Sequence, residues 1–333
     1  MSEPVTWLMP VKNGMPYLPL TLESIANQTY KRHTIIVWEN GSTDGTVEEL
    51  RRWIPARIPG VIITGRVMSV GRSLAALVEA AGTELCARID ADDINQPTRL
   101  EKQVAHMLAH PDVVALGSQV RLIDAQGAPT GGPWECPTND AEARWRTRWQ
   151  APTSHPATLF RKSAVLRAGN YADIQNEDSE LWIRLSKFGE IYSLPDVLLL
   201  YRRHEGSVTG SCTDLFADQL ECARHAASHL FPGFSPELTL ALWRLTHPER
   251  LGKQTGPIHA KDIFNLSRAA VQLARECGKS DNYFKNTDTY RAQAYWFRRN
   301  FLHRHGLLKL AHVVTNFSRR SAPPTSQPTP QPR

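Results

Sequence analysis

Three aspartates fall within four positions in the stretch ARIDADDINQP, where Asp90, Asp92 and Asp93 follow a short apolar run. Negative charges this close repel one another, so their crowding needs a physical reason. A divalent cation such as Mg²⁺ or Mn²⁺ takes oxygen ligands and commonly joins one or two carboxylates to substrate phosphates. The alternative is that one aspartate caps the helix opened by Pro97 while the others are solvated turn residues. A D-x-D triplet is short and common, so both interpretations stay open on this stretch alone.

Further polar groups lie where predicted strands end or helices begin. Glu39 precedes a Gly-containing turn that ends at Asp44. A carboxylate there could accept a hydrogen bond from a nucleotide base or from a ribose hydroxyl. Asp44 also suits the N-cap of the following helix. Glu177 and Asp178 open a helical pattern, where paired acids either complement the helix dipole or supply a general base. His204 follows an apolar run; alone it is an ordinary surface histidine, and beside a carboxylate-bound cation it suits a metal ligand.

Hydrophobic periodicity predicts the elements that position these groups. Seven strands are predicted, at residues 5–9, 34–38, 61–64, 85–89, 113–116, 157–160 and 197–201. Helices are predicted at 18–26, from Asp44, at 73–81, from Pro97, at 141–149 and at 178–188, with a Gly/Pro-rich loop at 127–137. This alternation predicts an α/β fold with a mostly parallel central sheet flanked by helices. In such sheets ligands bind outside the carboxyl ends of the strands.

The chain has 333 residues, of which 41% are apolar, enough for a sizeable core. No apolar run approaches the roughly 18 residues of a membrane span, and the N-terminus does not resemble a signal peptide. Five scattered cysteines without a CxxC pair favour a reducing, cytoplasmic compartment. The net charge of +6 is uneven, because residues 211–333 carry 17 Lys and Arg against 9 Asp and Glu. The strand–helix alternation stops near residue 210, so we expect an α/β domain at 1–210, a helical C-terminal region at 211–316 and a disordered Pro/Ser/Thr/Gln-rich tail at 317–333.

Six motifs occur in an order that resembles glycosyltransferase family 2. They are MPVKNGMPYLPLTLESIANQTY, IIVWENGSTDGT, ARIDADDINQPTRLEKQ, HPATLFRKSAV, NEDSELWIRLSKFG and LLLYRRHEGSVT. The resemblance runs from about residue 5 to residue 209. The resemblance implies a GT-A fold and an inverting transfer of sugar from a nucleoside-diphosphate sugar.

The resemblance also implies a donor site. Pro10 and Val11 should lie against the nucleotide, and Asp90 should face the ribose or the sugar. Glu39 stands where relatives often place a base-contacting Asp, so its longer side chain leaves the nucleotide open, although UDP is expected. Arg72 is expected to reach the diphosphate.

The same resemblance implies the groups that act at the reaction centre. Asp92 and His204 should hold Mn²⁺ or Mg²⁺ against the diphosphate. Asp178 should be the catalytic base, with Glu177 beside it, and Asp93 should support the loop.

The predicted acceptor is a hydroxyl of a growing surface glycan, free or lipid-linked, such as a capsule, O-antigen, lipopolysaccharide or exopolysaccharide. Transfer to a polyprenyl phosphate is the catalytic alternative. Residues 295–320 mix aromatic and basic side chains, which suits either contact with the inner face of an anionic membrane or a docked terminal helix. A nucleic-acid-binding protein is the non-enzymatic alternative, but no base-reading motif supports it. A dinucleotide-dependent dehydrogenase is excluded because no GxGxxG motif follows a predicted strand.

Two pairs of side chains are discounted. His106 and His110 have the i, i+4 spacing of zinc ligands without a nearby cysteine cluster, so we do not predict a zinc site. Trp145 and Trp149 could stack on a sugar, although helix packing is the commoner role, and Trp134 in the Gly/Pro loop is the better lid candidate.

Overall fold

The structure is a computed structural model that describes residues 3–147, 151–174 and 176–206. Its strands are β1 Val5–Val11, β2 His33–Glu39, β3 Gly60–Thr64, β4 Leu85–Arg88, β5 Ile94–Asn95, β6 Val113–Ile123, β7 Pro129–Trp134, β8 Leu159–Arg161 and β9 Glu190–Arg202. Its helices are α1 Leu18–Ala26, α2 Thr46–Trp53, α3 Val70–Ala80, α4 Arg99–Ala109, α5 Asp140–Thr147, α6 Lys162–Arg167 and α7 Glu177–Leu185, with a 3₁₀ turn at His155–Ala157.

All strands belong to one sheet in the order β3-β2-β1-β4-β8-β6-β9-β5, with β7 paired to β6. The first four strands of this order are parallel to one another. Beyond β4 the sheet is mixed, because β8 is antiparallel to both β4 and β6 while β9 is parallel to β6. The predicted α/β class is therefore confirmed, with the parallel arrangement concentrated in the N-terminal half.

Two apolar clusters cover the two faces of the sheet. Alternate residues of β1 belong to different clusters. Trp7 lies in the cluster that contains Leu22 of α1, and Leu8 lies in the cluster that contains Leu77 of α3 and Trp182 of α7. Successive side chains of a strand point to opposite faces. A strand buried on both faces therefore reads as an unbroken apolar run, which is why β1 was recognisable in the sequence.

The predicted loop at 127–137 is wrong in part. Residues Pro129–Trp134 form β7, an edge strand antiparallel to β6, with Val120 opposite Trp134. Its Gly and Pro residues are compatible with an edge strand, where some backbone groups need no partner, but they conceal the strand in the sequence. The strand predicted at 157–160 is also displaced, because a 3₁₀ turn occupies 155–157 and β8 begins at Leu159.

The predicted C-terminal helices at 211–316, the tail at 317–333 and the membrane-facing segment at 295–320 lie outside the described residues. Among the residues that are described, no helix is long and apolar enough to cross a membrane.

Candidate active site

The carboxyl ends of several strands meet at one edge of the sheet. Parallel pairing places Val11 opposite Glu39 and Leu8 opposite Arg88. Two successive antiparallel steps, β4 to β8 to β6, return β6 and its parallel neighbour β9 to the direction of β4. The segments that follow β1, β2, β4 and β9 therefore lie on the same edge, which is where α/β sheets bind ligands.

Asp90, Asp92 and Asp93 form the acidic cluster of this edge, directly after β4. One carboxylate oxygen from each lies within 4.8 Å of the others, and this is the only such group of three or more possible metal ligands among the described residues. Asp93 is 1% exposed, and its Oδ1 accepts a hydrogen bond from the backbone N–H of Arg202 at 2.8 Å. Its Oδ2 is buried and has no hydrogen-bond partner within the described part of the chain.

The electrostatics of this cluster favour a cation. Burial and the neighbouring charges of Asp90 and Asp92 raise the pKa of Asp93 well above its usual range. Burial and the charge of Asp90 also raise the pKa of Asp92, although His204 partly opposes this. An oxygen donor set with an unpartnered buried oxygen fits a hard divalent ion such as Mn²⁺ or Mg²⁺.

His204 reaches this cluster from the end of β9. Its Nε2 lies 3.0 Å from Asp92 Oδ2, and its ring lies 4.7 Å from the ring of Tyr17 in the loop after β1. Arg202 fixes the arrangement, because its Nε donates to the backbone oxygen of Asp92 at 2.9 Å while its guanidinium stacks 4.6 Å from the Tyr17 ring. Asp92 and His204, 112 positions apart in the chain, are thus in contact.

Glu177 and Asp178 open α7. The Glu177 side chain is only 13% exposed, and its Oε1 lies 3.7 Å from Nδ1 of the buried His155. Burial, reinforced by the adjacent charge of Asp178, raises the pKa of Glu177 to about 8. The Asp178 Oδ1 accepts a hydrogen bond from the backbone N–H of Ser179 at 2.6 Å.

Arg88 is the site residue that sequence reasoning missed. It is the last residue of β4, is 5% exposed and forms an ion pair with Asp90. Burial alone would lower the pKa of its guanidinium, but the Asp90 contact and then the charge of Glu177 raise it overall. The available signal was a single charged residue inside the apolar run LCARI, since buried charges are rare unless paired.

The loops after β1 and β2, which are predicted to contact the nucleotide, are hydrogen-bonded to each other. Pro10 and Val11 are buried at the end of β1. Asn13 accepts a hydrogen bond from the Thr43 N–H at 2.9 Å, and the Met15 N–H donates to Asp44 Oδ2 at 2.9 Å. Asp44 also accepts from the Thr46 N–H at 3.1 Å, so it serves the first turn of α2, although Gly45 occupies the cap position.

The Glu39 carboxylate turns back onto its own loop. Its Oε1 accepts a hydrogen bond from the Ser42 N–H at 2.5 Å. Burial alone would raise the pKa of Glu39, yet the hydrogen bonds from Ser42 and Gly41 lower it overall. The side chain is therefore an oriented anion at the sheet edge, and its predicted base contact remains a prediction.

Arg72 lies in the first turn of α3, where its Nε contacts Asp173 Oδ2 at 2.6 Å and half of its side chain is exposed. Ser69 caps the same helix by accepting from the Arg72 N–H at 3.2 Å and also bonds to Asp173. This pairing joins α3 to the segment that precedes α7. The contact of Arg72 with a diphosphate remains a prediction.

The histidine pair that we discounted as a zinc site has a packing role, and the lid role of Trp134 remains a prediction. His106 and His110 stack with ring centroids 4.0 Å apart, and His106 Nε2 lies 2.9 Å from the Tyr192 hydroxyl. Trp134 packs edge-on against Tyr201 with centroids 6.3 Å apart. The side chains of Trp145 and Trp149 lie outside the described residues.

The fold and the acidic edge together define an α/β protein that gathers carboxylates where such sheets bind phosphorylated ligands. Residues 6–167 match the model of glycosyl transferase family 2. The amylovoran biosynthesis glycosyltransferase AmsE of Erwinia amylovora is 32% identical over 185 residues, which are 54% of this chain and 68% of that protein. The chain belongs to glycosyl transferase family 2, and it is a glycosyltransferase.

Solved structures share the fold at low sequence identity. S. aureus TarS 1–349 in complex with UDP-GlcNAc has a TM-score of 0.61 at 15% identity, covering 91% of this chain and 92% of that one. The mannosyltransferase PcManGT from Pyrobaculum calidifontis, in complex with GDP-Man and Mn²⁺, has a TM-score of 0.52 at 17% identity, covering 95% and 88%. The predicted GT-A fold is therefore confirmed.

Proposed function

We propose that the protein is an inverting glycosyltransferase that moves a sugar from a nucleoside-diphosphate sugar, UDP-linked in the first instance, to an acceptor hydroxyl of a growing surface glycan. One observation carries the proposal: His204 Nε2, after β9, lies 3.0 Å from Asp92 Oδ2 in the acidic cluster after β4, at the edge of the sheet where such folds bind ligands. The UDP-GlcNAc complex of TarS supports a nucleotide-sugar donor.

In this proposal Asp178 accepts the proton of the acceptor hydroxyl as that oxygen attacks the anomeric carbon in line. Glu177, with its pKa raised to about 8, keeps its proton near neutral pH and so adds no second negative charge beside the base. Displaced carboxyl pKa values of this kind commonly separate the roles of neighbouring acids. General base catalysis typically contributes about 10²–10⁴-fold.

The residues present fit a divalent cation, and we assign Asp92 and His204 to hold it, with Asp90 and Asp93 completing the acidic cluster. When bound, such an ion offsets the negative charge that develops on the departing nucleoside diphosphate. The Mn²⁺ complex of PcManGT supports this assignment. On the donor side, Glu39 and the loops after β1 and β2 surround the nucleotide, and Arg72 is the side chain we assign to the diphosphate.

The AmsE relative supports a role in polysaccharide biosynthesis, and a site on the cytoplasmic side of the membrane is part of the proposal. Transfer to a polyprenyl phosphate is the second candidate. There the acceptor is already an anion and needs little base, so replacing Asp178 would hardly reduce its rate. The burial of Glu177 beside Asp178 favours the hydroxyl acceptor, because a base is useful only there.

The test is a thermal-shift and calorimetric panel with UDP and GDP, each with Mn²⁺ or with EDTA. Ligand at 100 times its dissociation constant stabilises a protein by about 2.7 kcal/mol, so a metal-dependent rise in Tm is expected with one nucleotide. Asp92→Asn should abolish the metal-dependent part of this rise. The control Asp196→Asn, at a partly exposed β9 residue paired with Lys102, should leave it unchanged. The anomeric configuration of the product, measured by NMR, decides inversion. Absence of any stabilisation by either nucleotide would contradict the donor class.

A further inference from the structure

Tyr17 occupies the N-cap position of α1 without capping the helix through its side chain. Its backbone oxygen accepts hydrogen bonds from the N–H groups of Leu20 at 3.0 Å and Thr21 at 3.3 Å, but its side chain makes no capping hydrogen bond. Ser, Thr, Asp and Asn are favoured at an N-cap, because their side chains accept from the first helical N–H groups. The half-buried ring of Tyr17 also belongs to neither of the two apolar clusters found among the described residues. Neither the helix start nor the core therefore explains an aromatic residue here.

The ring of Tyr17 instead packs against two residues that end β9 or follow it. The guanidinium carbon of Arg202 lies 4.6 Å from the ring centroid, within the range of a cation–π contact. The imidazole of His204 lies beside the same ring, with centroids 4.7 Å apart and the planes tilted by 48°. Aromatic rings in contact typically have centroids about 4.5–7 Å apart. Tyr17 therefore contacts the histidine that reaches the acidic cluster.

Hydrogen bonds fix the groups on both sides of this ring. Arg202 is 2% exposed, and its Nε donates to the backbone oxygen of Asp92 at 2.9 Å. Its Nη1 donates to two backbone oxygens of the turn between β6 and β7, at 3.0 and 3.2 Å. On the other side, the loop that carries Tyr17 is held by the Gly14 N–H, which donates to Thr46 Oγ1 at 2.8 Å. The ring thus has a fixed backbone and a fixed arginine to pack on.

The pair that this ring adjoins has a separation that suits a shared cation. His204 Nε2 lies 3.0 Å from Asp92 Oδ2. Mg²⁺ holds its ligands at about 2.0–2.1 Å in octahedral geometry, so two ligand atoms at right angles to each other are about 3.0 Å apart. The side-chain torsion that rotates an imidazole is soft, and rotation would carry Nε2 away from Asp92. A ring packed beside the imidazole restricts that rotation.

We propose that Tyr17 is a positioning residue of the cation site, whose ring keeps His204 directed at Asp92. Arg202 holds that ring in place. The inference rests on the proposed assignment of Asp92 and His204 to a divalent cation. Outer groups that orient metal ligands are typically worth about 10–100-fold in metal affinity or activity. Because the aromatic ring makes both contacts, the hydroxyl of Tyr17 is not needed for this role.

The experiment compares the Mn²⁺ affinity of wild type, Tyr17→Leu and Tyr17→Phe in the full chain. Calorimetric titration gives the dissociation constant of Mn²⁺ in the presence of excess UDP or GDP, whichever nucleotide the wild type binds, and transfer assays give kcat at saturating Mn²⁺. Tyr192→Leu is the matched control, because Tyr192 of β9 also packs on a histidine ring, that of His106, with centroids 5.7 Å apart. Circular dichroism and Tm establish that each variant is folded.

Tyr17→Leu is expected to raise the dissociation constant of Mn²⁺ at least about 10-fold. Its kcat at saturating Mn²⁺ should return to within about threefold of wild type, since the change affects binding and not turnover. Tyr17→Phe keeps the ring and should stay within about twofold of wild type in both quantities, and Tyr192→Leu should change neither. If Tyr17→Leu does not fold, Tyr17→Met, whose unbranched side chain has no planar face, is measured in its place with the same expectation.

Wild-type Mn²⁺ affinity in folded Tyr17→Leu would overturn the inference. So would an equal loss of affinity in Tyr17→Phe or Tyr192→Leu, or a kcat of Tyr17→Leu that saturating Mn²⁺ does not restore. The underlying metal assignment fails in a different way, because the wild type then binds no Mn²⁺ or binds it equally well after Asp92→Asn. Mn²⁺ binding that depends on Asp92 but not on Tyr17 would refute only the positioning role.

Discussion

Replacing Glu177 by glutamine should make the stability of the protein less sensitive to pH. The carboxyl is buried at the start of α7, beside Asp178, and its pKa rises from an ordinary 4.5 to about 8 in the folded state. Below pH 4.5 the side chain is neutral in the folded and unfolded chains alike, so it contributes no pH dependence. Between pH 4.5 and 8 the unfolded chain releases the proton while the folded chain keeps it, so stability falls as pH rises.

The size of the effect follows from the pKa. Each pKa unit corresponds to about 1.4 kcal/mol, so the rise from 4.5 to about 8 sets an upper limit of about 5 kcal/mol for the destabilisation above pH 8. Relaxation of the surroundings reduces the cost of a buried charge below this limit, and an effect on the order of 3 kcal/mol is expected. Glutamine is neutral at every pH and nearly isosteric, so Glu177→Gln should remove it.

The assay is urea unfolding of wild type and Glu177→Gln at intervals from pH 5 to pH 9, in EDTA, followed by circular dichroism. The difference in unfolding free energy should be small at pH 5, grow in favour of the variant up to about pH 8 and then level off. Glu48→Gln is the matched control, because Glu48 is an exposed glutamate in the first turn of α2 and has the same relation to a helix dipole. Parallel stability curves for wild type and Glu177→Gln would refute the reasoning.

Three further outcomes are expected. Asp178→Asn should lower kcat about 10²–10⁴-fold with an unchanged circular dichroism spectrum, and wild-type turnover would remove Asp178 as the base. Gly71→Ala should lower Tm by several degrees, because the new Cβ would lie 2.2 Å from the Ala172 carbonyl oxygen. Such overpacking destabilises by about 1–3 kcal/mol. The control is Gly82→Ala, whose new Cβ would meet nothing within 4 Å and which should keep its Tm. Arg99 is fully buried and donates to the side-chain oxygens of Asn95 and Gln103 and to three backbone oxygens. Arg99→Met should therefore destabilise by at least about 3 kcal/mol in urea unfolding, since it leaves these buried acceptors unpaired, and an unchanged midpoint would contradict this account.

A strand was predicted correctly where its own residues reveal that it is buried, and it was missed where only its pairing with another strand does. β1 and the centre of β2 were recognisable because strand segments buried on both faces are mostly apolar. The first half of β9 was missed, because Pro195 and Asp196 interrupt its pattern. In the structure these two residues fall at a register shift, where Ser118 pairs with Leu194 and Gln119 with Val197. A bulge of this kind accommodates a proline inside a strand, and only the pairing with β6 reveals it.

The residues of the candidate site were also predictable only in part. The sequence placed Asp92 and His204 after strands and Glu177 at a helix start, which sufficed to predict that they serve one edge of the sheet. It could not show that Glu39 would bond to its own turn through Ser42 or that Arg72 would pair with Asp173. Those choices depend on side-chain directions and on competing partners that lie far away in the chain.

By itself, then, the sequence determined the family, the α/β class and the residue types that stand at strand ends, because periodicity and motif order are local properties of the chain. Tertiary structure alone decided that Arg88 pairs with Asp90 and that, among the described residues, Asp93 keeps a buried oxygen without a partner. The physical reason is that burial and charge compensation depend on which distant segments the sheet brings together. A charged residue in an apolar strand indicates that a partner is needed, and the folded chain determines which partner it has.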